Sequence, residues 1–286
     1  MLNKIAIKIR KVFPNAYQTL LNIKQGRYNY RFSKEKYPHS FLAKTYSSNY
    51  KGENAPEVIY CFWTGNNPLT ENRKIGLKAL EENSGVTVKL ITPENLPEYI
   101  KPGYLLHKGY DLLSLTMRSD YLRCYFMHHH GGGYADIKPF NHSWKPAFVK
   151  VNQDKIKYAL GYPELLYGGI APSEHRFIGD KSSYENFDTM IISEEKIYND
   201  LTKHIPLLIG NCAFICKPYT PITTEWYNEV HQRMDELCDY YKQSESKDLG
   251  SVPYFYLEQI FHPLMLKYHK HIIQYKKLLP VLKDYR

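Results

Sequence analysis

A chain of 286 residues, 43% of them hydrophobic and 15% aromatic, carries enough apolar surface to bury a sizeable core, which excludes wholesale disorder. No stretch approaches the roughly 18–20 uninterrupted apolar residues of a membrane span, and Lys4, Lys8, Arg10 and Lys11 interrupt Met1–Phe13, where a secretory signal keeps an unbroken apolar core. The chain therefore reads as cytoplasmic. Its formal charge of +9 is uneven: residues 1–50 hold ten Lys and Arg against Glu35 alone, and residues 266–286 hold six against Asp284, leaving 22 basic and 27 acidic groups between them.

The basic character thus belongs to the two ends. Nucleic acid attracts such ends, and so does the anionic inner surface of a membrane, at about 1 kcal/mol per nearby basic residue. In Met1–Phe13 the apolar Leu2, Ile5, Ile9, Val12 and Phe13 fall on one side of a helix and Lys4, Lys8 and Lys11 on another. That pattern suits peripheral contact with a membrane, or a terminal helix packed on its own domain or on another subunit. With an acidic centre and no recognised binding motif, the chain is not expected to bind nucleic acid. Five cysteines, Cys61, Cys124, Cys212, Cys216 and Cys238, are odd in number and widely spread, so they read as reduced thiols. Cys212 and Cys216 fall in the apolar run Leu207–Cys216 without a second ligand pair, which favours strand burial over zinc.

Residues 14–50, rich in Tyr and Lys without clear periodicity, read as an extended arm or a short helical lead-in, and the ordered core is expected to begin at Pro56. Val58–Trp63 is a continuous apolar run ended by Gly65-Asn66-Asn67-Pro68, the pattern of a strand buried on both faces. Leu69–Glu82 reads as a helix with Thr70 as N-cap, Val86–Ile91 as a second strand, and Thr92-Pro93-Glu94 as the opening of another helical turn. Strand, helix and strand in this order make a βαβ unit and hence a parallel sheet. A helix over Thr116 to about His130 stops at Gly131-Gly132-Gly133, and Tyr134–Ile137 follows as a short strand. Tyr158–Gly161 and Leu207–Cys216 read as further strands, Thr223–Tyr241 and Tyr254–Tyr268 as helices. The expected fold class is mixed α/β with a mainly parallel central sheet and further helices at both ends. Ligands of such sheets bind at the carboxyl ends of the strands, where Trp63-Thr64-Gly65 and Asp136-Ile137-Lys138 sit.

The helix and strand flanking the three glycines carry the chemistry. Asp120 and Arg123 share one helix face with Thr116 and Met127, while Leu115, Leu122 and Phe126 form a separate stripe toward the core. By spacing alone the pair reads as a surface i,i+3 ion pair worth a few tenths of a kcal/mol. Three consecutive glycines argue for a tight reversal or for close approach by a ligand, and the strand after them delivers Asp136 to its end. An aspartate there can hold a sugar or ribose hydroxyl, or a divalent cation on a diphosphate.

Ser119, Asp120 and Arg123, followed by Gly132, Gly133, Tyr134 and Asp136, resemble the Ser-Asp-x-x-Arg helix and Gly-Gly-x-Tyr-x-Asp strand of the bacterial capsular polysaccharide synthesis proteins and related sugar transferases with an aspartate–x–aspartate motif. The resemblance is good over about Pro56–Pro139 and looser over Ile209-Gly210-Asn211 to Lys217-Pro218. It implies the Rossmann-like glycosyltransferase A fold and transfer of a sugar from a nucleotide-diphosphate donor to a growing surface glycan (capsule, O-antigen or lipooligosaccharide), with retention of configuration suggested by relatives. It also implies that Asp120 and Arg123 contact the donor sugar, that Asp136 contacts ribose, sugar and any Mn or Mg, and that Trp63 or Phe62, beside Thr64 and Gly65, stacks on the base. Gly133, Tyr134 and Asn211 complete the expected donor site. The acceptor would be a glycan or lipid-linked glycan at the inner membrane face.

Where the family usually places its second, metal-binding aspartate, this chain has Lys138. A lysine cannot ligate a cation, but its ammonium can neutralise a diphosphate leaving group, so weak or absent metal dependence is expected, with Asp136 as the metal's remaining ligand. The alternative is a cation held by Asp136 and water with help from Glu258 or His262. Loss of metal chemistry altogether would leave a nucleotide-sugar- or glycan-binding module without turnover. His128-His129-His130 point about 100° apart on a helix and cannot converge on one ion; they read as a partly exposed helix end, and Asp188, Glu194 and Glu195 as solvated. The expected division is a basic arm or helix over 1–55, a transferase domain over 56–265 and a basic helix over 266–286.

Overall fold

The computed structural model describes residues 30–164, 170, 182, 185–243 and 258–281. The helix expected over Met1–Phe13, the start of the one expected from Tyr254, and the Glu258 side chain lie outside the described residues. Within them, six strands form one sheet: β1 (Val58–Phe62), β2 (Thr87–Ile91), β3 (Gly132–Ala135), β4 (Ala159–Pro163), β5 (Ile209–Cys216) and β6 (Ile272–Gln274), in the order β2-β1-β3-β5-β4-β6. β1 is parallel to β2 and β3, β4 is parallel to β6, and β5 runs antiparallel between β3 and β4. The helices are α1 (Glu71–Ser84), α2 (Leu115–His129), α3 (Lys145–Gln153), α4 (Phe187–His204), α5 (Pro221–Gln243) and α6 (Glu258–Lys267). The fold is thus a mixed, mainly parallel, Rossmann-like α/β sheet.

β1 is covered on both faces, as its unbroken apolar run requires. Ile59 and Cys61 enter one core layer with Leu80 of α1 and Phe148 of α3, while Tyr60 and Phe62 enter the other with Phe126 of α2, Trp226 of α5 and Phe261 of α6. Thr70 caps α1 by accepting from the Arg73 N–H, and Gly85 ends that helix in the left-handed region at φ 69°. The three glycines fit the tight reversal expected of them. Gly132 has φ 93°, and a Cβ on it would stand 2.9 Å from the Val58 carbonyl oxygen. Only glycine lets β3 lie this close to the start of β1. Gly133 pairs with Ile59 and packs beneath Trp144 and Phe148, inside the sheet.

The core does not wait for Pro56. Tyr30, Tyr37, Phe41 and Leu42 are buried against the α5–α6 side of the sheet. Two lysines tie this segment to acids on α5: its own Lys44 approaches Glu229 at 3.9 Å, and Lys267 at the end of α6 donates to the Leu42 carbonyl while pairing with Glu225 at 2.8 Å. Glu229 in turn forms a fully buried i,i+4 pair with Arg233 at 2.7 Å. The described part of residues 266–286 is likewise not a basic helix. After α6 ends at Lys267 it supplies the edge strand β6, which pairs with β4. Sequence reading also misses α3 and α4; on α4, Asp188 and Glu195 are exposed but Glu194 is buried.

Candidate active site

α2 begins at the N-cap Ser114, whose hydroxyl accepts from the Met117 N–H, and runs between the sheet and α5. It has no solvent stripe over most of its length: residues Asp120 to Met127 are all buried, while Leu115, expected in the core, is 51% exposed. The expected surface pair is therefore a buried one. Arg123 Nη2 stands 3.2 Å from Asp120 Oδ1, with the two side chains 8% and 2% exposed. Arg123 Nη2 also lies 3.6 Å from Asp136 Oδ1, and its guanidinium stacks over the Tyr134 ring at 4.1 Å.

Asp136 is the first residue past β3, fixed by donation of its N–H to the Cys212 carbonyl at 2.8 Å. Its Oδ1 accepts from the Tyr134 hydroxyl at 2.6 Å and its Oδ2 pairs with Lys138 Nζ at 2.8 Å. Burial alone would raise the Asp136 pKa; Arg123, Lys138 and the two hydrogen bonds outweigh it and hold the carboxyl below its usual value. Asp120, Arg123, Asp136 and Lys138 form a neutral cluster of two acids and two bases. Within it only Asp136 reaches the surface appreciably, at 22%, whereas Lys138 is 3% exposed. The Lys138 ammonium is therefore spent on Asp136 and the Cys212 sulfur, 3.3 Å away, and does not stand open to a ligand as its sequence position suggested.

A cleft of about 450 Å³ opens at the carboxyl ends of β1 and β2, the same edge of the sheet at which β3 delivers Asp136; none of the four cluster residues lines it. Trp63, Thr64, Leu122 and Arg118 line it together with His107, Lys108, Tyr110 and Asp111. Hydrogen bonds set the β1 end: Trp63 Nε1 donates to the Asn67 carbonyl and the Thr64 hydroxyl to the Leu115 carbonyl, each at 2.6 Å, with Gly65 folded beneath Asn67 and Leu115. Phe62, the other base-stacking candidate, is core: its ring stacks on Tyr134 with centroids 5.6 Å apart. Asn211 contributes its carbonyl, which accepts from Arg123 Nη1 at 3.1 Å.

The family model described as capsular polysaccharide synthesis protein matches residues 10–154, which span β1, the cleft, α2, β3 and the Asp136–Lys138 pair. The chain belongs to the capsular polysaccharide synthesis family. Membership gives it a role in glycan biosynthesis. No curated protein and no solved structure matches it.

Several residues at the cleft carry no clear signal in the sequence. Arg118 sits immediately before the motif serine and shares a helix face with Leu122 at i,i+4, a signal that could have placed it on the cleft. Its guanidinium donates to the Leu113 and Asp111 carbonyls and stacks on Tyr110 at 5.3 Å. His107, Lys108, Tyr110 and Asp111 come from a segment without periodicity and carry no local signal. The histidine triplet ends α2 as expected, with His128 and His130 half-buried and only His129 fully inside. His129 is buried, His128 stacks on Tyr227 with centroids 4.7 Å apart, and His130 hydrogen bonds the Tyr99 carbonyl. His262 is fully buried 3.6 Å from Glu164 Oε2. Among the described residues no three His, Cys, Asp or Glu side chains gather as a metal-ligand set, and no helix is long and apolar enough to cross a membrane.

Proposed function

We propose that this protein is a glycosyltransferase that moves a sugar from a nucleotide-diphosphate donor to a growing bacterial surface glycan. The observation that carries this reading is Asp136 at the carboxyl end of β3, bracketed by Arg123 and Lys138, on the same edge of the parallel strands as a cleft lined by Trp63 and Tyr110. The nucleotide occupies the cleft, its base against Trp63 or Tyr110 and its phosphates toward Arg118 and Lys108. Asp136 accepts from hydroxyls of ribose and sugar. In the reaction the bond between the anomeric carbon and the diphosphate oxygen breaks, its electron pair leaves with the diphosphate, and the acceptor hydroxyl bonds to the carbon and loses its proton. Cations fixed in the cleft before that charge develops stabilise it without reorganisation.

Divalent metal dependence is weak or absent in this reading. Both Asp136 oxygens already have close partners, and a cation bound there would face the Lys138 ammonium 2.8 Å from Oδ2. Lys138 thus acts through Asp136: it keeps the carboxylate ionised and the cluster neutral where a metal would otherwise balance the charge. The acceptor is a glycan or lipid-linked glycan, and the basic ends counted in the sequence support contact with an anionic membrane surface.

The test is hydrolysis and binding across a panel of nucleotide sugars by the native protein and by Asp136→Ala. The native protein is expected to hydrolyse one donor slowly, and the variant to lose about 10²–10³-fold of that rate, the scale of removing one preorganised transition-state contact. Binding without hydrolysis in the native protein would identify a non-catalytic nucleotide-sugar module. Absence of binding to every donor would overturn the assignment.

A further inference from the structure

β5 enters the site backwards, antiparallel to β3, so its first residues pass beside Asp136 just where β3 ends. Two consecutive residues there reach three members of the charge cluster. The Asn211 carbonyl accepts from Arg123 Nη1 at 3.1 Å, the Cys212 carbonyl accepts from the Asp136 N–H at 2.8 Å, and the Cys212 sulfur accepts from Lys138 Nζ at 3.3 Å. The thiol is itself oriented, since its S–H points to Asn211 Oδ1 at 3.7 Å. Gly210 makes room on the same strand: a Cβ there would stand 2.0 Å from the ring of the buried Tyr162.

We infer that Asn211 and Cys212 are positioning residues, in which the Cys212 thiol, held by Asn211, aims the Lys138 ammonium at Asp136. A lysine side chain has a flexible four-carbon stem and three donors, so burial alone does not fix where its charge sits. Here one donor is tied to sulfur and another to the Asp136 carboxylate. Burial first, and Asp136 second, push the Cys212 pKa up to about 12, so the group stays a neutral thiol that accepts from the ammonium without cancelling its charge. The effect on turnover rests on the transferase reading proposed above; the placement of the ammonium does not.

Cys212→Val removes the acceptor at nearly constant volume, and Cys212→Ser restores one. With the donor that the native protein hydrolyses, Cys212→Val is expected to lower kcat about ten-fold or more with KM little changed, since misplacing a reacting group by about 1 Å costs up to 10²-fold. Cys212→Ser should recover most of that loss. A readout independent of turnover is a melting-temperature cycle with Lys138→Met: if sulfur and ammonium interact, the double variant loses less than the sum of the single variants. Additive melting shifts, or a Cys212→Val protein as active as the native one, would overturn the inference. If the native protein hydrolyses no donor, the transferase reading falls and the melting cycle still decides the placement.

Discussion

Replacing Arg123 with methionine is expected to abolish donor hydrolysis and to lower the melting temperature by about 10 °C. The reason lies in what the substitution leaves behind. Asp120 is 2% exposed and has the Arg123 guanidinium 3.2 Å away; without it a carboxylate remains buried without its cation. Breaking a buried pair by removing one partner costs about 3–5 kcal/mol, far above the few tenths of an exposed i,i+3 pair. The same change takes one of two cations from Asp136 and the cation from the face of Tyr134, so site and scaffold fail together. Arg123→Lys retains charge but not the planar fork that reaches Asp120, Asp136 and the Asn211 carbonyl, and should regain part of the stability without the activity. Asp120→Asn combined with Arg123→Met should melt higher than Arg123→Met alone, because the buried charge that Arg123 balanced is gone. Melting curves and hydrolysis rates on these variants check the argument, and an Arg123→Met protein as stable as the native one would refute it.

The second large effect is acid sensitivity. His128, His129 and His231 pack with Tyr121, Tyr125 and Tyr227 between α2 and α5. Burial first, then the neighbouring imidazoles, depresses their pKa values to about 4 for His128 and about 3 for His129, with Lys101 adding to both; His231 falls to about 4 through burial and His107. An unfolded chain binds protons at these rings near pH 6.5, whereas the folded one resists until about pH 3–4. Their contribution is therefore complete above about pH 6.5 and is lost as the pH falls from there toward 4. Near pH 5 unfolding takes up close to three protons, a slope of up to about 4 kcal/mol per pH unit. Melting temperatures between about pH 7.5 and 4.5 should fall steeply below 6.5. His129→Phe, at the buried member of the group, should remove about one proton from that slope. A flat profile from pH 7 to 5 would contradict this account.

What the sequence makes legible follows from how local each signal is. The β1–α1–β2 unit and the Thr70 cap depend on residues within a few positions of each other, and the structure has them within one or two residues. The joining of Asp120, Arg123 and Asp136 is legible because one helix, three glycines and one short strand leave the chain little choice. Whether the Asp120–Arg123 pair is buried is not legible, since an i,i+3 pair has the same spacing on a surface as in a core. That depends on α5, about 100 residues later, covering α2. The Lys-rich segment before Pro56 misleads for the same reason: Glu229, which Lys44 approaches, and Lys267, which holds the Leu42 carbonyl, both stand on distant helices. Cys212 gives no local signal because its role depends on β5 being antiparallel, so that its sulfur meets Lys138 while its carbonyl meets Asp136.

The measurement that bears most directly on the central claim is turnover of the preferred nucleotide sugar by the native protein in chelator and in manganese. If the Lys138–Asp136 pair does the work a divalent cation does elsewhere, the two rates agree within about two-fold, since a two-fold difference is only about 0.4 kcal/mol in barrier. Turnover that vanishes in chelator and returns only with manganese would contradict it, and would mean that the cation displaces the ammonium from Asp136.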